Sequence, residues 1–187
     1  MGSRLTPARL DRFLAGTHLA RLAVVDTLGA PYVVPAWYEW DGSSLWFVGR
    51  ERSQWCIYLD HDPRAAAVID VEGNCAVGEE RYFTPRVTIV GVTVVVERPG
   101  EGRRWVEHAR AMALRYRGEA GVAYLESTLD EPRWLVELTP AHLTSWEGGG
   151  WAPRYRAGGA AEDEESSPGA GGAQHATAES DEGRARG

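Results

Sequence analysis

Between Arg21 and Arg64 the chain reads as three apolar runs joined by two tight turns: RLAVV, DTLGA, PYVVPAWYEW, DG, SSLWFVG. Few folds accept such a meander, because hairpins this short force the strands to lie antiparallel and adjacent. Residues 22–25 are predicted as a buried strand and 26–30, with Gly29, as a turn. Residues 32–40 are predicted as a long strand interrupted by Pro35. Proline cannot donate to a ladder, so this strand belongs on an edge or is bulged there, and the break opens the backbone to a ligand. Asp41 and Gly42 form the next turn, and residues 45–48 the third strand.

After Gly49 the character changes. Arg50, Arg52, Ser53 and Gln54 are polar donors, and residues 55–60 follow at helical spacing with Ser53 as the expected N-cap. Arginines leading into a helix N-terminus point guanidinium forks and free backbone N–H groups at one place, which suits an anion; a solvated loop with a cap is the plain alternative. Asp62 and Pro63 stop the helix.

The remaining elements complete a small β-rich domain. Thr6 and Pro7 start a short amphipathic helix that Gly16 ends, expected to close one barrel end. Residues 64–71 are predicted as a strand and 72–85 as a polar excursion. Residues 86–97, RVTIVGVTVVVE, form the most strand-like stretch, with Gly91 marking a bend or bulge. Residues 103–117 are a helix ended by Gly118, and 121–129 a second one. Strand 134–138 is separated by Pro140 from a last strand at 143–146. From Gly148 onward Gly, Ala, Glu and Ser dominate, and such a segment buries too little apolar area to order itself. The chain therefore divides into a folded domain, 1–152, and an acidic tail, 153–187. The expected fold is mainly β with peripheral helices, a barrel of six to seven antiparallel strands.

Composition removes several chemistries. All 20 basic residues are arginine, with no lysine. That excludes a Walker-type phosphate loop and any Schiff-base enzyme, and leaves arginine forks, hydroxyls and backbone amides to hold anions. From Ala157 onward there are seven acids and two arginines, so most of the net charge of −7 lies there and no basic face suggests nucleic acid. No apolar run reaches membrane-spanning length, and the N-terminal residues lack the apolar core of a secretion signal. Cys56 and Cys75 have no metal-type spacing and read as free thiols of a cytoplasmic protein. His18, His61, His108 and His142 are scattered, and no catalytic triad or metal cluster is expected. Most of the eight tryptophans are expected in the core or a subunit interface, with a minority lining a flat ligand.

The run FLAGTHLARLAVVDTLGAPYVVPAWYEWDGSSLWFVGRERSQW, then LDHDPRAAAVID, RVTIVGVTVVVE, ALRYRGEAG and PRWLVELTPAHLTSW, resembles the pyridoxamine 5′-phosphate oxidase-like superfamily of split β-barrels. The resemblance spans residues 10–151 and lies in segment order rather than one motif. It implies a homodimer with cofactor sites at the interface, binding FMN or the deazaflavin coenzyme F420. It implies that the backbone at Val33, Val34, Pro35 and Trp37 lies along the flavin ring. The family's Ser/Arg/Lys phosphate cluster falls at Ser53, Gln54 and Trp55: the serine is kept, the arginine and lysine are not. Arg50, Arg52 and Arg86 are the candidate substitutes, and Arg115, Tyr116 and Arg117 are further groups near the interface. Val33 stands where the pyridoxamine phosphate oxidases carry arginine. The implied activity is hydride transfer to or from a small organic substrate. The alternative is a dimer that binds or stores flavin, haem or a related flat ligand without turnover.

Overall fold

A computed structural model describes residues 3–71 and 85–147. The expected tail at 153–187 and all of the expected excursion at 72–85 except Pro85, Cys75 included, lie outside them. The elements are α1 (Pro7–Leu14), β1 (Ala20–Val25), β2 (Pro31–Ala36), β3 (Glu39–Trp40), β4 (Leu45–Arg50), α2 (Gln54–His61), β5 (Arg64–Ile69), β6 (Arg86–Glu97), α3 (Trp105–Glu126) and β7 (Arg133–Trp146). The seven strands make one antiparallel sheet in the order β2-β1-β5-β6-β7-β4-β3.

That order dictates a barrel. β2 and β3 are the two opposite edges, yet only Trp37 and Tyr38 separate them in sequence. Three Cα steps span at most ~11 Å, so the sheet must curl until its edges meet. The expected strand at 32–40 is thus two strands. Its break falls at Trp37 and Tyr38, two residues past Pro35, which sits inside edge strand β2 opposite Arg21. Continued at the β3–β4 register of Glu39 with Trp46, the chain would set Trp37 across from Val48 and Pro35 across from Arg50. It leaves β4 there and pairs with β1 instead, which splits the barrel at that point.

Alternation fills the interior. Leu22, Phe47, Ile69, Ile89, Val136 and Leu138 are fully buried in one cluster, and α1 adds Phe13 and Leu14 to it. The opposite faces of β4 and β7 carry Trp46 and Leu135 into a second cluster with Trp105, Ala113 and Leu125 of α3. β4 therefore reads as a continuous apolar run because it is covered on both sides.

The break expected at Gly118 is present: its φ of 62° and ψ of −154° are not helical and divide α3 into two helical halves. One expectation about β7 is corrected. The strands expected on either side of Pro140 are one strand. The partner of Val90 is His142 and that of Gly91 is Pro140, so Ala141 is skipped as a bulge, and beyond Leu138 the strand has β6 as its partner but not β4.

Candidate functional site

The split in the barrel opens into a cleft of about 460 Å³, roofed by α3. Trp37 forms one wall. Its ring stacks on Tyr116 of α3, with centroids 4.8 Å apart and planes 3° from parallel. Tyr116 holds the β2–β3 crossing in place: its hydroxyl donates to the His18 carbonyl oxygen at 2.6 Å and accepts from the Tyr38 backbone N–H at 3.4 Å. Tyr38 turns inward and is fully buried, with the Arg115 guanidinium 5.1 Å from its ring centroid. Burial pushes the Tyr38 hydroxyl's pKa well up, and its Oη has no hydrogen-bond partner.

Val48 and Arg50, on the outer face of β4, supply the next wall. Arg50 donates to the Tyr124 hydroxyl at 3.2 Å, which ties the strand end to the second half of α3. Gly49, between them, faces inward. A Cβ there would lie 2.1 Å from Cys56 Sγ and 3.0 Å from the Trp55 ring, so glycine is what lets α2 pack on this strand. Burial pushes the Cys56 thiol's pKa up, against a hydrogen bond from Ser53, which marks a packing residue rather than a nucleophile.

Arg133 begins β7 opposite Arg50 and lies at the inner end of the cleft, 7% exposed. Its Nη2 donates to Thr128 Oγ1 at 2.8 Å and meets Glu131 at 3.5 Å, and its guanidinium stands 5.4 Å from the Trp105 ring centroid. Its Nε is buried without a hydrogen-bond partner. Arg117, Met112 and Ala113 from the first half of α3, and Gly121, Tyr124 and Leu125 from the second, also line it. The break at Gly118 folds the two halves close: a Cβ on Gly121 would sit 2.6 Å from the Ala113 carbonyl oxygen. The lining holds three arginines and no carboxylate.

The structure brings three of the residues named from the sequence, Trp37, Arg50 and Arg117, into this cleft. Val33 and Pro35 are exposed on the edge strand, while Val34 packs against the core. Arg52 is exposed in the turn after β4, Ser53 occupies the N-cap of α2 without a side-chain cap bond, and Gln54 is exposed. Trp55 packs into the core, edge-on to Phe47 at 6.2 Å. Arg86 starts β6 opposite Trp146, outside the cleft lining. Arg117 was legible in the RYRG run. Tyr124 and Arg133 were not singled out; the signal for Arg133 was a charge between Pro132 and the apolar run WLVEL. His108 is positioned too, with Nδ1 2.7 Å from Glu39 Oε2 and its ring stacked 4.5 Å from Trp46, but it does not line the cleft. Among the described residues no group of three His, Cys, Asp or Glu side chains is placed to hold a metal ion, and no helix is long and apolar enough to cross a membrane.

A family model described as pyridoxamine 5′-phosphate oxidase matches residues 6–147. Several solved structures share the fold. A conserved hypothetical protein from Mycobacterium tuberculosis superposes with a TM-score of 0.61 at 21% identity, over 76% of this chain and 85% of that one. HutZ, the heme storage protein from Vibrio cholerae, gives 0.59 at 23% identity, over 79% and 98%. A FAD-binding protein from Mesorhizobium loti gives 0.53 at 18% identity, over 79% and 96%. At these identities the likeness is one of fold. No curated protein matches the chain in sequence.

Proposed function

The chain belongs to the pyridoxamine 5′-phosphate oxidase family, and on that premise we propose that it is an oxidoreductase binding FMN or the deazaflavin F420. The observation that carries this reading is the open edge of β2 running into the split. β2 is the last strand on its side of the sheet, so one row of its N–H and C=O groups has no ladder partner. A flavin-type ring presents donors and acceptors along one edge, which the outward-facing groups among Val33, Val34 and Pro35, the proline through its carbonyl oxygen alone, can meet. Trp37, leaving the end of that strand, gives the ring an aromatic wall.

The anionic end of the coenzyme falls to guanidinium and hydroxyl donors. Trp55 lies in the core, so the anchor is assigned to Arg50, Arg52 and Ser53 at the end of β4, with Arg86 as the donor from β6. When bound, the coenzyme supplies the hydride chemistry. The chain's own residues bind it, orient its ring against the cleft and keep water from one face.

The second copy implied by the resemblance has a surface to use. The outer face of β2-β1-β5-β6 exposes Val33, Val68, Val90, Val92 and Val94, and a homodimer closing over it is part of this reading.

The test is a visible spectrum of the purified full-length chain, then titration with FMN and F420. Micromolar binding of one, with turnover of a reducible acceptor, is expected. Failure of both to bind overturns the reading. Tight binding of flavin or haem with no turnover replaces it with storage, the role HutZ is named for, and one that the loss of the family's lysine position to Trp55 favours.

A further inference from the structure

We infer that the inner end of the cleft is a binding subsite for a small organic carboxylate with a planar apolar body, held by Arg133 and Arg117. Three observations carry it. First, Arg133 is a cation on the cleft's lining that is only 7% exposed, and its bonds from Nη2 to Thr128 and Glu131 fix the guanidinium in place. Second, the cleft adds Arg117 and Arg50 with no carboxylate on its lining, so its field favours an anion. Third, the space between the charges is apolar. Met112, Ala113, Leu125 and Val48 line it, and the Trp37 ring gives it a flat side.

The charge balance selects the class of anion. Glu131 offsets part of Arg133, which leaves the inner end matched to a monoanion and poorly matched to a dianion such as a phosphate ester. A carboxylate accepts a guanidinium edge with two oxygens, and arginines are the only cations on this lining. The volume of about 460 Å³ suits one or two fused rings. Anion binding stands on the cleft alone. That the bound carboxylate is the hydride partner rests on the coenzyme reading above.

The experiment is calorimetric titration of the full-length chain with 2-naphthoate and with its neutral isostere 2-naphthamide, at low salt, with and without FMN. The acid is expected to bind about tenfold more tightly or better than the amide, as a charged hydrogen bond demands. Arg117→Gln, on the exposed rim, and Arg133→Gln are each expected to erase most of that difference. Equal affinities for acid and amide, or no naphthoate binding at millimolar concentration, overturn the inference. Should Arg133→Gln not fold, the guanidinium N–H resonances of Arg133 in ¹⁵N-arginine wild-type protein decide: they shift with naphthoate and not with naphthamide, or the assignment is wrong. Displacement of naphthoate by an equal concentration of inorganic phosphate would overturn the monoanion. FMN titrations of the same samples keep the readings apart, since FMN binding with no naphthoate binding removes only the subsite.

Discussion

The outer surface of one sheet is treated in two ways. Over β4 and β7, α3 covers it: Trp46 and Leu135 are buried there, and Glu97 at the end of β6 caps α3 by accepting the backbone N–H groups of Arg104 at 2.9 Å and Trp105 at 3.1 Å. Over β1, β2, β5 and β6 nothing described covers it. Val33 is 63% exposed, Val92 52% and Val94 55%, although these strands alternate as cleanly as the others. The register aligns the bare side chains across strands, Val33 with Ala23, Ala23 with Ala66, Ala66 with Val90. The same pattern therefore serves intramolecular packing on one half and, in our reading, contact with a second copy on the other. The proposed coenzyme edge and the cleft lie where the two halves meet.

Substitutions on the two halves should give opposite signatures. Trp46→Ala empties a buried indole site against α3 and is expected to cost about 3–5 kcal/mol, read as a lower midpoint in denaturant. It also removes the bond from Trp46 Nε1 to Asp41 Oδ2 at 2.7 Å. Val90→Arg changes an exposed position, so the subunit should lose less than ~0.5 kcal/mol. Its expected effect is on mass: light scattering should find monomer where wild type gives dimer, with weaker FMN binding. A Val90→Arg protein that remains dimeric would remove this face from the interface.

These halves differ in how far they are legible in the sequence. Strand alternation and the hairpin at Asp41 and Gly42 are local, and both turns form as read. That residues 32–40 feed opposite edges is not local. Period-2 alternation says which way a side chain points but never which strand lies beside it. Pro140 misled for a related reason: the rule against proline assumes a ladder on both sides, and β7 at that point has β6 with a bulge. Of the cleft's lining, Trp37 was named through the family resemblance and Arg50 as a donor following Gly49, whereas Tyr124 and Arg133 enter through the break at Gly118 and the pairing of β7 with β4, both tertiary facts.

The seam between the halves is tested by the coenzyme anchor. Arg52→Ala is expected to weaken FMN binding by about 1.5–3 kcal/mol, the range for a charged hydrogen bond, with little change in stability because the side chain is exposed. An unchanged dissociation constant would move the anchor to Arg50 or Arg86.

The smallest expected effect separates the halves by pH. Each half has a hairpin turn closed by an aspartate. Asp26 Oδ1 accepts the Leu28 and Ala30 N–H groups at 2.8 Å, on the bare side. Asp41, on the covered side, accepts from the Ser43 and Ser44 N–H groups and from Trp46. Partial burial works to raise the Asp41 pKa, but the bonds from Trp46, Ser44 and Ser43 together overcome it and hold the carboxyl at about 2. The folded pKa thus lies below the unfolded value of ~3.9, and the unfolded state binds more protons between them. The contribution is fully present above pH ~4 and is lost as pH falls toward 2. Solvent screening keeps it near or below ~1 kcal/mol. Asp41→Asn should therefore lie below wild type by a constant amount above pH ~4 in urea melts, with the gap closing toward pH 2. Because Asp41 is bonded to Trp46, the loss should appear first in the fluorescence of the covered half. A gap that stayed constant through pH 2 would mean that this carboxylate carries no acid sensitivity, and that the tie between the turn and the helix-covered face is steric alone.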